Sequence, residues 1–293
     1  MVLALLLLLP LAADTAASRT VEVAPRESLH TLSMGDGVPV VLIPGLIGGA
    51  YGYRQLMPPL AAQGYRVVVI EPLGVGESAR PKHADYSLTA QADRIGRVLD
   101  SLGLSGVLLV SHSLGTSMAL RLAYRRPELV RAVLSIDGGP AESASTPGLR
   151  RAMKFAPLLK LFVGRGTIRR QVRNGLIANS RDTSWVTNTV LDGYTSPSGR
   201  DVGATIDAFH GMADSHEADA LRNHLADIRI PVRLMIGAAP HETAVGPDET
   251  EILRSSLPDF ALQSVPGSGQ YIHEEQPAAV VAAVVALDRA TRR

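Results

Sequence analysis

Gly106-Val107-Leu108-Leu109-Val110-Ser111-His112-Ser113-Leu114-Gly115-Thr116-Ser117-Met118-Ala119 is the stretch that decides the fold. A short run of valine and leucine is broken by small residues and passes at once into Ala119-Leu120-Arg121-Leu122-Ala123-Tyr124, whose apolar spacing is helical. The reading is strand, sharp turn, helix. A serine at the apex of such a turn is held in a strained backbone region and presented to solvent, while the N–H groups that follow it point at whatever it meets. A serine that merely caps a helix after a strand would also fit this stretch taken alone.

Outward from that turn the chain alternates strands and helices. Thr20–Val23 and Leu29–Leu32 alternate as edge strands do, and Gly35-Asp36-Gly37 supplies a turn before the continuous apolar run Val38–Ile43. Gly64–Ile70 is a second such run, a helix is expected from about Leu88 to Leu102, and the helix after Ser113 ends near Arg126-Pro127. Leu129–Ile136 reads as a further strand that stops at Asp137-Gly138-Gly139-Pro140. This alternation implies a mostly parallel sheet with ligands at the carboxyl ends of its strands. From Pro140 to roughly His224 the pattern is helical without strands, including Gly148–Phe162, and strands resume at Pro231–Gly237 and Leu262–Pro266 before a terminal helix, Pro277–Ala290.

Composition excludes several classes. With 293 residues, 46% of them hydrophobic, the chain can bury a large core. Twenty-nine Lys and Arg against 28 Asp and Glu leave a net charge of +1, which makes no whole-chain case for nucleic acid or an anionic membrane as partner. Cysteine is absent, so there is no thiol nucleophile, disulfide or cysteine-bound metal. Met1–Ala13 is an apolar run too short to span a bilayer, followed by small residues, and reads as a secretory signal over residues 1–18. Because no cation precedes the run, an uncleaved anchor or a misplaced start competes with that reading. The expected location is therefore secreted or periplasmic, with the cytoplasm as the alternative.

Ser111-x-Ser113-x-Gly115, one substitution from G-x-S-x-G, together with Pro44-Gly45-Leu46 after a strand and Glu71-Pro72-Leu73-Gly74-Val75-Gly76-Glu77-Ser78-Ala79-Arg80-Pro81 after the next, resembles the α/β-hydrolase superfamily over residues 20–293. The resemblance implies an eight-stranded, mostly parallel sheet with helices on both faces, a core of residues 19–140 and 225–293, and a helical cap of residues 141–224 over the site. It implies Ser113 as nucleophile and the backbone N–H groups of Leu46 and Leu114 as oxyanion donors, with Gly45 allowing the close approach. No cofactor and no metal are expected, and the partner is a small molecule; oligomeric state is left open.

Two positions depart from that family. Where an aspartate is expected after the seventh strand stands Gly237-Ala238-Ala239-Pro240, and where the catalytic histidine is expected after the eighth stands Gln270. A glutamine can hydrogen-bond a serine hydroxyl but cannot take its proton near neutral pH. Asp137, at the end of the sixth strand, is the alternative acid or else a capping residue. His273 matches the family's second histidine and is a candidate base. His241 and Glu242 could supply base or acid through a register shift, whereas His112, His210, His216 and His224 show no such role and no metal-ligand spacing. Two functions follow: a serine hydrolase of small, apolar, ester-like compounds, or a ligand-binding pseudoenzyme or lyase-like protein that kept the pocket without acyl transfer.

Overall fold

The computed structural model describes residues 16–145, 147–156, 160, 162–242 and 245–292. Eight strands form one sheet: β1 Ala17–Ala24, β2 Glu27–Met34, β3 Val38–Ile43, β4 Tyr65–Ile70, β5 Val107–His112, β6 Val130–Ile136, β7 Val232–Gly237 and β8 Phe260–Val265. Their spatial order is β1-β2-β4-β3-β5-β6-β7-β8, so the strand that carries Ser113 at its end lies in the middle. The β1–β2 and β2–β4 pairs are antiparallel and all the others parallel. Parallel strands buried on both faces need apolar side chains in both directions, which is why β5 is a continuous run. Its Val107 and Leu109 join the cluster of Leu88, Ile95 and Leu120, while Leu108 and Val110 join that of Leu60, Val280 and Val284.

Those clusters place α2 (Leu88–Ser101) and α3 (Leu114–Arg125) on one face, and α1 (Met57–Ala62) and α10 (Pro277–Thr291) on the other. Helix α2 begins where Ser87 Oγ accepts the Ala90 N–H at 3.2 Å, a cap worth about 1 kcal/mol. It ends where Gly103 turns to φ 63°, a conformation that favours glycine.

Between β6 and β7 lie α4 (Pro147–Met153), α5 (Arg165–Ala178), α6 (Asn188–Arg200) and α7 (Val202–Asp214). Thr187 and Asp201 start α6 and α7 by accepting the N–H groups of Val190 and Ala204. Leu176, Val190, Leu191 and Tyr194 form an apolar cluster with Tyr271, so α5 and α6 pack on the connection after β8. Ala208 and Met212 of α7 stand against Gly74 in the loop after β4. The helical layer thus covers the carboxyl ends of the sheet. Two further α-helices are α8 (Pro247–Ser256) and α9 (Ile272–Glu275).

Three boundaries differ from expectation. Strand β1 begins at Ala17, so the sheet takes in the last residues of the expected signal segment; residues 1–15 lie outside the described residues. Helix α4 stops at Met153 and Lys154-Phe155 form a turn, where one helix was expected across Gly148–Phe162, part of which lies outside the described residues. The cap gives way to the core before residue 224, because Glu217 accepts the Leu88 and Thr89 N–H groups at 2.6 and 3.1 Å, and Leu221 belongs to the sheet's core cluster. No described helix is long and apolar enough to cross a membrane.

Candidate active site

Ser113 sits at φ 51° and ψ −125°, the strained elbow geometry expected where β5 turns into α3. Such backbone costs about 1–3 kcal/mol and persists only where its surroundings dictate it. Here they do: the Ser113 N–H donates to Ile136 O at 3.0 Å and the Thr116 N–H to Ser113 O at 3.0 Å. A Cβ on Gly115 would lie 2.6 Å from Ile43 O and 2.8 Å from Pro44 O, and one on Gly138 would lie 2.4 Å from Ser113 O. Glycine is therefore required on both flanks. A Cβ on Gly45 would touch Ser113 Cβ at 3.3 Å, so the turn carrying Leu46 is pressed against the serine. Neither the Leu46 nor the Leu114 N–H donates to a protein group among the described residues; Leu114 opens α3 and has no intrahelical acceptor.

On the opposite side Ser113 Oγ is met by an amide: Gln270 Nε2 donates to it at 3.4 Å. Among the described residues no imidazole and no carboxylate hydrogen-bonds to that oxygen. Gln270 is held by its backbone, the N–H donating to Asn179 O at 2.8 Å and the carbonyl accepting from His112 Nε2 at 3.3 Å. His273 is not beside the serine hydroxyl. It is buried among the rings of Tyr53, His112 and Tyr271, its Nδ1 has no hydrogen-bond partner among the described residues, and burial pushes it down to about 3. Burial likewise pushes His112 well below the usual histidine range, with His273 adding to the effect. Both rings are neutral aromatic filling.

Asp137 has kept a histidine, but a different one. Its Oδ2 accepts the Gly237 N–H at 3.1 Å and lies 3.0 Å from His241 Nε2, off the line of a straight hydrogen bond, and both side chains are buried. His241 Nδ1 lies 2.8 Å from Ala239 O, which can only accept, so Nδ1 carries a hydrogen. Desolvation raises the Asp137 carboxyl above its ordinary range, against the opposing pull of the backbone N–H groups of Gly237 and Val245. His241 thus turns Nδ1 to the Ala239 carbonyl and Nε2 to the Asp137 carboxylate, and neither nitrogen hydrogen-bonds to Ser113 Oγ.

Two buried carboxylates escaped the sequence reading. Glu71 accepts the Ala50 and Glu77 N–H groups, each at 2.6 Å, and His30 Nδ1 at 2.9 Å, tying the Leu46 turn to the loop after β4. Glu274 accepts both Arg54 nitrogens at 2.5 and 2.9 Å, Gln55 at 2.7 Å and the Tyr194 hydroxyl at 2.7 Å, joining the cap to the core. The one sequence signal for Glu71 was a carboxylate followed by Gly74 and Gly76. Glu274, among adjacent charges before a proline, gave none. Glu242 is exposed, His210 pairs with Asp214 on α7, and His224 pairs with Asp219 beyond the cap while stacking on Tyr124 of α3. No described group of His, Asp and Glu is arranged to hold a metal ion.

Residues 38–277 match the family described as the alpha/beta hydrolase fold, and the chain belongs to that family. It is 31% identical over 185 residues to a haloalkane dehalogenase of Mycobacterium marinum, a match that covers 59% of this chain and 61% of that one. Over 269 residues it is 24% identical to an sn-1-specific diacylglycerol lipase of Mus musculus, covering 87% and 83%. The chain spans only 21% to 61% of the length of the first curated relatives it matches. Among solved structures, the epoxide hydrolase CorEH without ligand superposes with a TM-score of 0.79 at 18% identity, over 95% of this chain and 100% of that one, a likeness of fold.

Proposed function

We propose that this hydrolase-fold chain receives a small, apolar, ester-like compound at Ser113, with the Leu46 and Leu114 N–H groups on its carbonyl oxygen, and that it cleaves such a compound only slowly. The observation that carries this reading is Gln270 Nε2 at 3.4 Å from Ser113 Oγ. An amide donates to the serine oxygen and leaves the hydroxyl proton free to bind a ligand, but it has no capacity to take that proton as the oxygen attacks. General-base help is worth roughly 10²–10⁴-fold, and that is the deficit expected in acyl transfer. A second reading, a serine hydrolase whose base is His241, draws on the buried Asp137–His241 pair, an acid and imidazole already assembled in the loop after β7.

Labelling of the whole protein by a fluorophosphonate probe, with turnover of short-chain nitrophenyl esters, separates the two. Slow labelling that Ser113→Ala removes and His241→Ala leaves unchanged supports the first reading. Fast labelling that His241→Ala stops transfers the chain to the second.

A further inference from the structure

The whole-chain charge balance conceals a strong local imbalance. Between Glu142 and Asp182 the sequence holds nine lysines and arginines and no aspartate or glutamate, so the remainder of the chain is net acidic. Its described residues include α4, the turn at Lys154-Phe155 and α5. Helix α5 buries only Leu176 of its 14 residues. Arg150, Arg151, Lys154, Arg165, Arg170 and Arg173 are exposed, and no carboxylate pairs with any of them among the described residues. By contrast Lys160 pairs with Asp207, and Arg169 with Asp192. The same segment carries the two most exposed large apolar side chains described, Phe155 at 63% and Phe162 at 76%. A cavity of about 410 Å³ between α5 and α6 is lined by three arginines, Arg165, Arg169 and Arg200, against one aspartate, Asp192.

From this we infer that the outer face of the cap docks on an anionic lipid surface. Unpaired cations alone would suit any polyanion. Two phenylalanines held in water between basic flanks are what an interfacial segment needs, because the rings enter the headgroup boundary while the guanidinium and ammonium groups stay at the lipid phosphates. Each Lys or Arg that reaches an anionic surface strengthens binding roughly five-fold, so six together suffice for reversible attachment without any spanning helix. Docking in this way turns the layer that covers the carboxyl ends of the sheet toward the membrane. The inference stands on the cap surface and does not depend on the chemistry of Ser113.

The test is co-sedimentation of the full chain with vesicles of phosphatidylcholine alone and with one-fifth phosphatidylserine. Binding to the mixed vesicles is expected to exceed binding to the neutral ones more than ten-fold and to fall with added salt. The variant R150Q/R151Q/R170Q/R173Q should lose most of that binding, and F155S/F162S should weaken it, both with unchanged thermal unfolding because the side chains are exposed. Equal binding to both vesicles, insensitive to the four substitutions, overturns the inference by assigning attachment to another segment, as does no binding at all. Tighter binding of a single-stranded oligonucleotide that displaces the vesicles, and is itself lost in the four-fold variant, overturns it in favour of a nucleic-acid surface.

Discussion

The two walls of the Ser113 site are built by different means. The elbow wall, from β3, β5, α3 and the end of β6, is made of backbone: a strained serine, two glycines whose carbons stand against carbonyl oxygens, and N–H groups left over by the start of a helix. The facing wall, from the loops after β7 and β8, is made of side chains: Gln270, Glu274 and His241, which meets the Asp137 carboxylate from the end of β6. Backbone geometry tolerates almost no substitution, whereas a side chain can be exchanged without moving the chain that carries it. The elbow therefore rests on backbone that few residues can adopt, whereas the position facing Ser113 Oγ is an amide that a single substitution replaces.

The largest effect is expected from restoring an imidazole to the second wall. Gln270→His places a ring where an amide now meets Ser113 Oγ, and the buried Asp137 carboxylate just after β6 is the acid whose part in orienting that ring the double variant tests. Fluorophosphonate labelling should rise by about 10²-fold or more, within the ~10²–10⁴ range of general-base catalysis. Adding Asp137→Asn should cancel most of the gain. No rise in labelling, with the fold intact, would show that the elbow wall has lost its reactivity too.

Next in size is an attack on the first wall. Gly115→Ala would set a Cβ 2.6 Å from Ile43 O, a backbone atom that cannot move away without disturbing β3. A loss of about 3 kcal/mol in urea unfolding is expected. Gly166→Ala, which meets nothing within 4 Å, is the control and should cost nothing. Equal midpoints for the two variants would dissolve the contrast between the walls.

The buried histidines set a third effect, in pH. An unfolded histidine titrates near its ordinary 6.5, whereas His273 stays neutral down to about 3 in the folded chain. Its contribution to stability is therefore complete above pH 6.5 and lost as pH falls, because the unfolded chain takes up a proton that the native chain refuses. The slope approaches about 1.4 kcal/mol per pH unit, so roughly 2 kcal/mol disappears between pH 6.5 and 5. His273→Phe should flatten this part of the unfolding profile. An unchanged slope would mean that the ring is charged in the native state.

The sheet was legible because its signals are local and repeated: Val38–Ile43, Tyr65–Ile70 and Val107–His112 are apolar in both directions, and only a strand buried on both faces asks for that. Ser113 was legible because small residues at 111 and 115 mark a close turn. The partners on the second wall were not. Asp137 could be singled out as an acid at a strand end, but its pairing with His241 depends on how the loop after β7 folds back across Gly237, and no spacing in the sequence encodes that contact. His273 drew attention through its position relative to Gln270, and the ring cage around it decided otherwise. The cap surface was masked by a total: the balance of 29 cations and 28 acids hides a segment with no acid at all.

The smallest effect probes whether the cap is fastened to the variable wall. Tyr194, on α6, donates its hydroxyl to Glu274 at 2.7 Å, and Glu274 lies in the α9 turn that follows Gln270 and Tyr271. Tyr194→Phe removes that bond and keeps the ring's packing on Trp185 and Tyr51. Because Arg54 and Gln55 still satisfy the buried carboxylate, the loss in stability should be only about 1 kcal/mol. The informative readout is the site itself. If α6 holds the second wall in place through this bond, ester affinity and probe labelling should change. Cap and wall would then act as one unit, and the same variant combined with Gln270→His should give less than the sum of the separate effects. Strictly additive effects would separate the cap from the base position and leave the fastening purely structural.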